Sequence, residues 1–296
     1  MGKTTFLKII LCLSVITLLF GCGDEKVENK ESKSYSFDEI LWTSEGDLTK
    51  SDNKVMIDYS HTDQGYIMAK SLTSDHNRLK VMLVKGDSKY TYDINKDFEY
   101  EIYPLNMGEG TYTIKAYENV ESDQYALLFS FDVDVTLENE YIPFLYPNQV
   151  VDYDSSTLCI EKSFELVKDD KTDLDRVQHI YQWVLDNVEY DWDKVEEVQG
   201  KYVLPVLDDI YNTGKGICFD YAAIMAAMLR VQHIPTKVVT GMVSEGYHAW
   251  IEVYIENMGW IKPHVYFNSG EWTTMDPTYD AMDQPYDGDY SIKYTY

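Results

Sequence analysis

The stretch Gly216-Ile-Cys-Phe-Asp-Tyr-Ala-Ala-Ile-Met-Ala-Ala-Met-Leu-Arg230 constrains this chain more than any other. From Tyr221 to Leu229 it is apolar almost all round, and a helix without a polar face has to be covered on every side. Other elements must supply that cover. Helical spacing appears upstream around Ser156–Lys168, and again over Asp173–Val188, where Leu174, Val177, Ile180, Tyr181, Val184 and Val188 fall on one period and Asp173 is the expected N-cap. A third, short helix is expected over Leu204–Tyr211, stopping at Gly214. Downstream, Thr236–Val243 and Tyr247–Ile255 alternate as strands, and Asn257-Met-Gly259 and Asn268-Ser-Gly270 read as hairpin turns. Helices packed on an antiparallel sheet make an α+β domain, expected over residues 146–296.

The preceding region has a different period. Lys80–Val84, Phe98–Tyr103, Thr111–Tyr117 and Ala126–Val135 alternate at period two, separated by turn signals at Gly86-Asp87, Gly108-Glu-Gly110 and Glu118–Asp123. A small all-β sandwich is expected over residues 51–145. No site chemistry stands out in it; it reads as a spacer packed on the second domain, with a ligand-binding module as the other reading.

The first residues stand outside both folds. Lys3 and Lys8 precede the apolar run Ile9–Phe20, 12 residues long and too short for an ordinary membrane-spanning helix. It ends in Leu19-Phe20-Gly21-Cys22, which resembles a bacterial lipobox. Residues 1–21 are therefore expected to be a signal peptide, Cys22 the lipidated first residue, and residues 22–50 a charged, flexible tether. That places the protein on the extracellular face of the cell membrane, held through its N-terminal lipid. With 25 Lys+Arg against 51 Asp+Glu, a formal net charge of −26, a phosphate backbone is repelled, so nucleic acid is not expected as a partner.

Of four cysteines, Cys12 leaves with the signal and Cys22 carries lipid, which leaves Cys159 and Cys218 in the folded part. Two such cysteines are not a disulfide scaffold. Cys159, in an apolar helical stretch, reads as inert. Cys218 stands at the start of the buried helix, where free N–H groups and the helix dipole favour a thiolate and where the Cys218 N–H can donate to an oxyanion. His248 begins the strand His-Ala-Trp-Ile-Glu-Val-Tyr, and Asp276 follows another short strand in Met-Asp-Pro-Thr. A base on one strand and an orienting carboxylate on its neighbour complete a relay to the thiol. Tyr190, after the second helix, is a candidate oxyanion helper. Trp250 and Trp260 read as core aromatics rather than groove walls. No spacing of acidic residues makes a calcium loop, and neither metal nor cofactor is expected.

The run Gly216-x-Cys218 with its Ala-rich helix, Ile234-Pro235-Thr-Lys-Val-Val-Thr-Gly241, His248-Ala-Trp250-Ile-Glu252-Val, Gly259-Trp260 and Asp276-Pro277-Thr278 resembles the transglutaminase-like superfamily over roughly Leu174–Thr278, about a third of the chain. The resemblance implies a papain-like core, Cys218 as nucleophile, His248 as general base and then acid, and Asp276 as orienter. It departs from the family at Ile261–Glu271, an insertion expected to add a strand or lip beside the cleft. The expected activity is cleavage or transfer of the acyl group of peptide or glutamine amides through a thioester, acting on a protein or peptide at the cell surface. Hydrolysis is favoured because many bacterial members of the family are thought to be peptidases. The rival reading is a surface binding or assembly protein whose transglutaminase-like domain is vestigial.

Overall fold

The computed structural model describes residues 33–35, 46–75, 77–243, 246–261, 264–266, 272–274, 278 and 291–296. The signal-peptide and lipidation expectations at residues 1–21 and Cys22 lie outside them. Among the described residues no helix is long and apolar enough to cross a membrane.

The first half is a β-sandwich of two four-stranded antiparallel sheets. Its strands are β1 (Thr49–Ser51), β2 (Val55–Asp58), β3 (Tyr66–Ser71), β4 (Leu79–Lys85), β5 (Ser88–Ile94), β6 (Glu101–Pro104), β7 (Gly110–Glu121) and β8 (Gln124–Val135). One sheet has the order β1-β2-β3-β6 and the other β5-β4-β7-β8. Alternation decides which face is buried: Val81 and Leu83 of β4 and Tyr112, Ile114 and Ala116 of β7 point inward and meet Val55, Ile57, Ile67 and Ala69 in one core. Leu83 is fully buried, so truncating it to alanine costs about 2–5 kcal/mol.

Two expected boundaries shift. β7 runs through the expected turn at Glu118–Asp123 as far as Glu121, because Glu118 and Asn119 pair with Ala126 and Tyr125 and the chain reverses at Ser122, whose φ is 48°. The strand expected from Phe98 starts at Glu101, because Phe98 has φ 69° and ends any extended run.

A 3-10 turn at Ile142–Phe144 leads into the second half. It contains α1 (Leu158–Val167), α2 (Asp173–Asn187), β9 (Glu189–Tyr190), α3 (Trp192–Glu197), α4 (Leu207–Thr213), β10 (Lys215–Gly216), α5 (Cys218–Arg230), β11 (Thr236–Val243), β12 (Gly246–Ile255), β13 (Gly259–Ile261), β14 (His264–Tyr266), β15 (Trp272–Thr274) and β16 (Ser291–Thr295). The N-cap of α2 is Thr172, not Asp173: the Thr172 hydroxyl accepts from the Asp175 N–H at 3.1 Å, while Asp173 instead pairs with Arg176 one turn on. α4 ends at Gly214 as expected, in the left-handed region at φ 61°; a side chain there would also press on the Asn187 carbonyl at 2.9 Å.

Every residue of α5 from Asp220 to Arg230 is buried, with α1, α2 and α4 packed around it and β11 and β12 beside it. The sheet it packs on is antiparallel, in the order β13-β12-β11-β16, and the expected insertion contributes a strand, β14, which pairs antiparallel with β15 in a sheet of two. Sandwich and sheet meet at β16: the Thr295 N–H donates to the Tyr90 hydroxyl at 3.0 Å, and Asn106 donates to the Thr295 carbonyl. The architecture is α+β: helices packed on an antiparallel sheet, preceded by an all-β sandwich.

Candidate active site

The lead-in to Cys218 is held by a two-residue parallel pairing in which Lys215 and Gly216 lie beside Glu189 and Tyr190. The Asp191 N–H donates to the Gly216 carbonyl at 2.9 Å, and the Glu189 N–H to the Gly214 carbonyl at 2.8 Å. α5 then starts at once, with Ile217 as an extended N-cap and Cys218 as the first helical residue, half-buried and a free thiol. The Ile217 side chain has no oxygen to offer the helix. The cap comes from inside instead: Asp220 Oδ2 accepts from the Ile217 N–H at 2.9 Å and lies 2.7 Å from Lys194 Nζ. Asp220 is only 2% exposed.

Tyr190 is brought into this cluster. It sits opposite Gly216, with its ring 4.7 Å from that of Trp192 and 6.4 Å from that of Tyr221. Tyr221, one turn into α5, donates through its hydroxyl to the Val188 carbonyl, so α5 is tied to the end of α2 as well as to β9.

His248 lies on β12, buried, and faces Gly241 across the pairing with β11. Side chains alternate along a strand, so His248 shares its face with Trp250 and Glu252, and its ring stacks on that of Trp250 at 6.2 Å. Trp250 is 1% exposed, a core aromatic as expected. Trp260 carries Lys237 Nζ 3.6 Å above its ring and meets Phe144 edge-on, so it too packs rather than lines an open groove.

The fold sets the thiol and the imidazole at one level. At its far end α5 is fixed to the start of β11, where Arg230 Nε and Nη2 donate to the Thr236 carbonyl at 2.9 and 2.7 Å. The chain turns back there, so β11 runs against α5. From Arg230 back to Cys218 the helix rises about 18 Å, and from Thr236 to Gly241, the partner of His248, the strand rises about 17 Å. The first turn of α5 and the start of β12 thus come to the same end of the helix–sheet unit. β15 precedes Asp276 as the sequence predicts, but Asp276 itself, like the side chain of His264, lies outside the described residues.

Cys159 is in a different state. It is fully buried in α1, and burial, followed by the nearby Asp208 carboxylate, pushes its thiol up to about 12. It forms no disulfide with Cys218. Among the described residues no group of three or more His, Cys, Asp or Glu side chains is placed to hold a metal ion.

Residues 161–264, from α1 through β14, match the family model described as the transglutaminase-like superfamily. This region is a transglutaminase-like domain. Over 130 residues the chain is 28% identical to kyphoscoliosis peptidase of Mus musculus, covering 40% of this chain and 17% of that protein, so it spans less than a fifth of this relative's length. Two solved structures are similar in part. A chain from Cytophaga hutchinsonii, described as a candidate cysteine protease, is 16% identical with a TM-score of 0.36, covering 78% of this chain and 91% of that one. Red sea bream transglutaminase is 14% identical with a TM-score of 0.26, covering 72% and 48%.

Within the transglutaminase-like domain, Asp220 and Lys194 are site neighbours that sequence reasoning passed over. Asp220 follows Cys218 by two positions and could have been flagged as the acidic residue of the first helical turn. Nothing in the sequence marks Lys194 as its partner, because α3 has no buried face and no clear period.

Proposed function

We propose that this chain is a thiol enzyme of the cell surface that attacks the carbonyl of a peptide bond or glutamine amide with Cys218. The observation that carries the reading is the half-buried thiol on the first residue of an otherwise buried helix, level with an imidazole on the strand against which that helix packs. His248 takes the thiol proton and Asp276 orients the imidazole. Cys218 Sγ bonds to the carbonyl carbon, and the oxyanion receives the Cys218 N–H, with Tyr190 as the candidate second donor. The C–N bond breaks as His248 returns its proton to the leaving nitrogen, releasing ammonia or an amine and leaving a thioester. Water then adds to the thioester while His248 takes a proton, and cleavage of the C–S bond restores the thiol and frees the acid. A lysine amine in place of water gives an isopeptide. Hydrolysis is the favoured outcome, in keeping with the mouse relative being named a peptidase. The lipid on Cys22 holds the enzyme at the extracellular face of the membrane, where its protein substrate is met.

The test is mass spectrometry of candidate surface proteins incubated with active protein and with Cys218→Ala. Cleaved peptides that need Cys218 are expected. New lysine isopeptides would make the enzyme a transferase, and no Cys218-dependent product of either kind would leave the surface-binding reading in its place.

A further inference from the structure

The first turn of α5 carries only the reverse half of a capping box. A helix leaves its first N–H groups without intrahelical acceptors, and an Asp or Ser at the N-cap normally fills those of the second and third residues. Here the N-cap is Ile217, and the carboxylate of Asp220 reaches back to the N-cap N–H instead. The N–H groups of Asp220 and Tyr221 both go to the Ile217 carbonyl, at 2.8 and 3.0 Å. Those of Cys218 and Phe219 have no acceptor among the described residues. The first turn is held rigid, yet the two donors beside the thiol stay uncommitted.

This arrangement puts a buried carboxylate two residues from the thiol, and a negative charge there opposes a thiolate. Lys194 answers it. Its Nζ lies 2.7 Å from Asp220 Oδ2, and its own helix is placed by Asp191, which caps α3 through its side chain and ties to Gly216 through its N–H. Gly216 makes room for the carboxylate: a Cβ there would stand 2.7 Å from the Asp220 Cβ.

We infer that Lys194 and Asp220 are a positioning pair for Cys218: Asp220 fixes the first turn while leaving the Cys218 and Phe219 N–H groups open to an oxyanion, and Lys194 cancels the charge this places beside the thiolate. The inference rests on Cys218 being the nucleophile. Other titratable groups around this end of α5 are Glu189, Tyr190 and Lys215 on β9 and β10, Tyr202 near Phe219, and Tyr247 and His248 on β12. They are common to all the variants below and set one baseline.

The two charges act on the thiolate with opposite sign, which a purely structural role would not reproduce. Iodoacetamide labelling of Cys218 in the full-length protein, followed by peptide mapping from pH 5 to 9, reads the effect. Lys194→Met is expected to move the labelling profile up by about 0.5–1 pH unit, and Asp220→Asn, which keeps an oxygen for the Ile217 N–H, to move it down by a similar amount. Lys194→Arg should leave it in place, and the double variant Lys194→Met with Asp220→Asn should fall between the singles. Should Asp220→Asn fail to fold, Lys194→Met alone gives the decisive sign, since Lys194 is partly exposed on a helix with no buried residues. No shift, or shifts of the same sign, with Cys218 still reactive would overturn the pair and leave the nucleophile standing. An unreactive Cys218 in the unaltered protein would overturn both.

Discussion

Among the described residues, two helices carry a cysteine in their first turn, and they differ in what occupies the space in front of it. In α1, Cys159 is the second residue; the Asp208 carboxylate of α4 accepts the Leu158 N–H at 2.9 Å, and the thiol has no exposed surface. In α5, Cys218 is the first residue, the cap comes from within the helix, and the thiol is half open. Both thiols lie at the positive end of a helix dipole. That dipole is worth about 0.3–1 kcal/mol at a helix end, whereas burial shifts an ionisable group by up to several pH units. Position in a helix therefore does not by itself leave a thiol accessible; an open first turn does.

The comparison breaks most visibly at turnover. If the open first turn serves a relay, Asp276→Ala should lower kcat by about 10⁴-fold, because the imidazole loses its tautomer and orientation while the thiol stays in place. Steady-state kinetics on the substrate found by mass spectrometry measures it, and an unchanged kcat removes Asp276 from the site.

Labelling sharpens the same contrast. A thiol held near 12 is about 10³-fold less ionised at pH 6 than an ordinary one, before its burial is counted. Brief alkylation at pH 6 should therefore mark Cys218 and leave Cys159 at least that far behind, and equal labelling of the two would erase the distinction.

The smallest effect concerns stability. Cys159 keeps its proton in the folded protein up to about pH 12, whereas an unfolded chain releases it near 8.5. Between those values the folded state binds the extra proton, so its stability falls as pH rises, by about 1.4 kcal/mol per pH unit from this one group. Below about pH 8 the contribution is intact. Denaturant unfolding from pH 8 to 11 should show the unaltered protein losing stability faster than Cys159→Ala, and parallel losses would mean that Cys159 is not held as its burial requires.

What could be read from the sequence followed how local each signal is. The strand Thr236–Val243 appears with its expected bounds, and Tyr247–Ile255 is extended by only Gly246, because both runs are rich in β-branched and aromatic residues and Asn257, at φ 69°, and Gly259 supply the turn after the second. α5 was legible because its apolar residues leave no polar face. β1 to β3 and β5 were not anticipated: β1 is three exposed residues, and β3 is buried at five of its six positions and so shows no period. α3 is a single short exposed helix. The placing of Thr172 over Asp173 turned on one hydroxyl, a choice that composition does not make. Cys218 and His248 stood out by residue type and context, but the Lys194–Asp220 contact joins segments whose approach only the tertiary fold decides.

β16 gives the molecule an order of assembly. Its partner β11 lies nearly fifty residues upstream, and the Thr295 contact with Tyr90 closes a span of 205 residues. Loop closure grows costlier with length, by about 0.6 kcal/mol for each doubling, and long-range pairings form slowly. α5, β11 and β12 are consecutive in the chain, pack on one another and carry Cys218 and His248, and the sandwich has its own hairpins. On that cost β16 is expected to dock last. Arg230 links that joint to α5, since its guanidinium also donates to the Tyr146 and Tyr296 carbonyls at 2.7 and 2.9 Å, gathering the linker and the final strand at the foot of α5. In refolding, the sheet edge at β11 would remain open while thiol and imidazole were already in register, so the slowest phase would belong to the joint between the two halves rather than to the site.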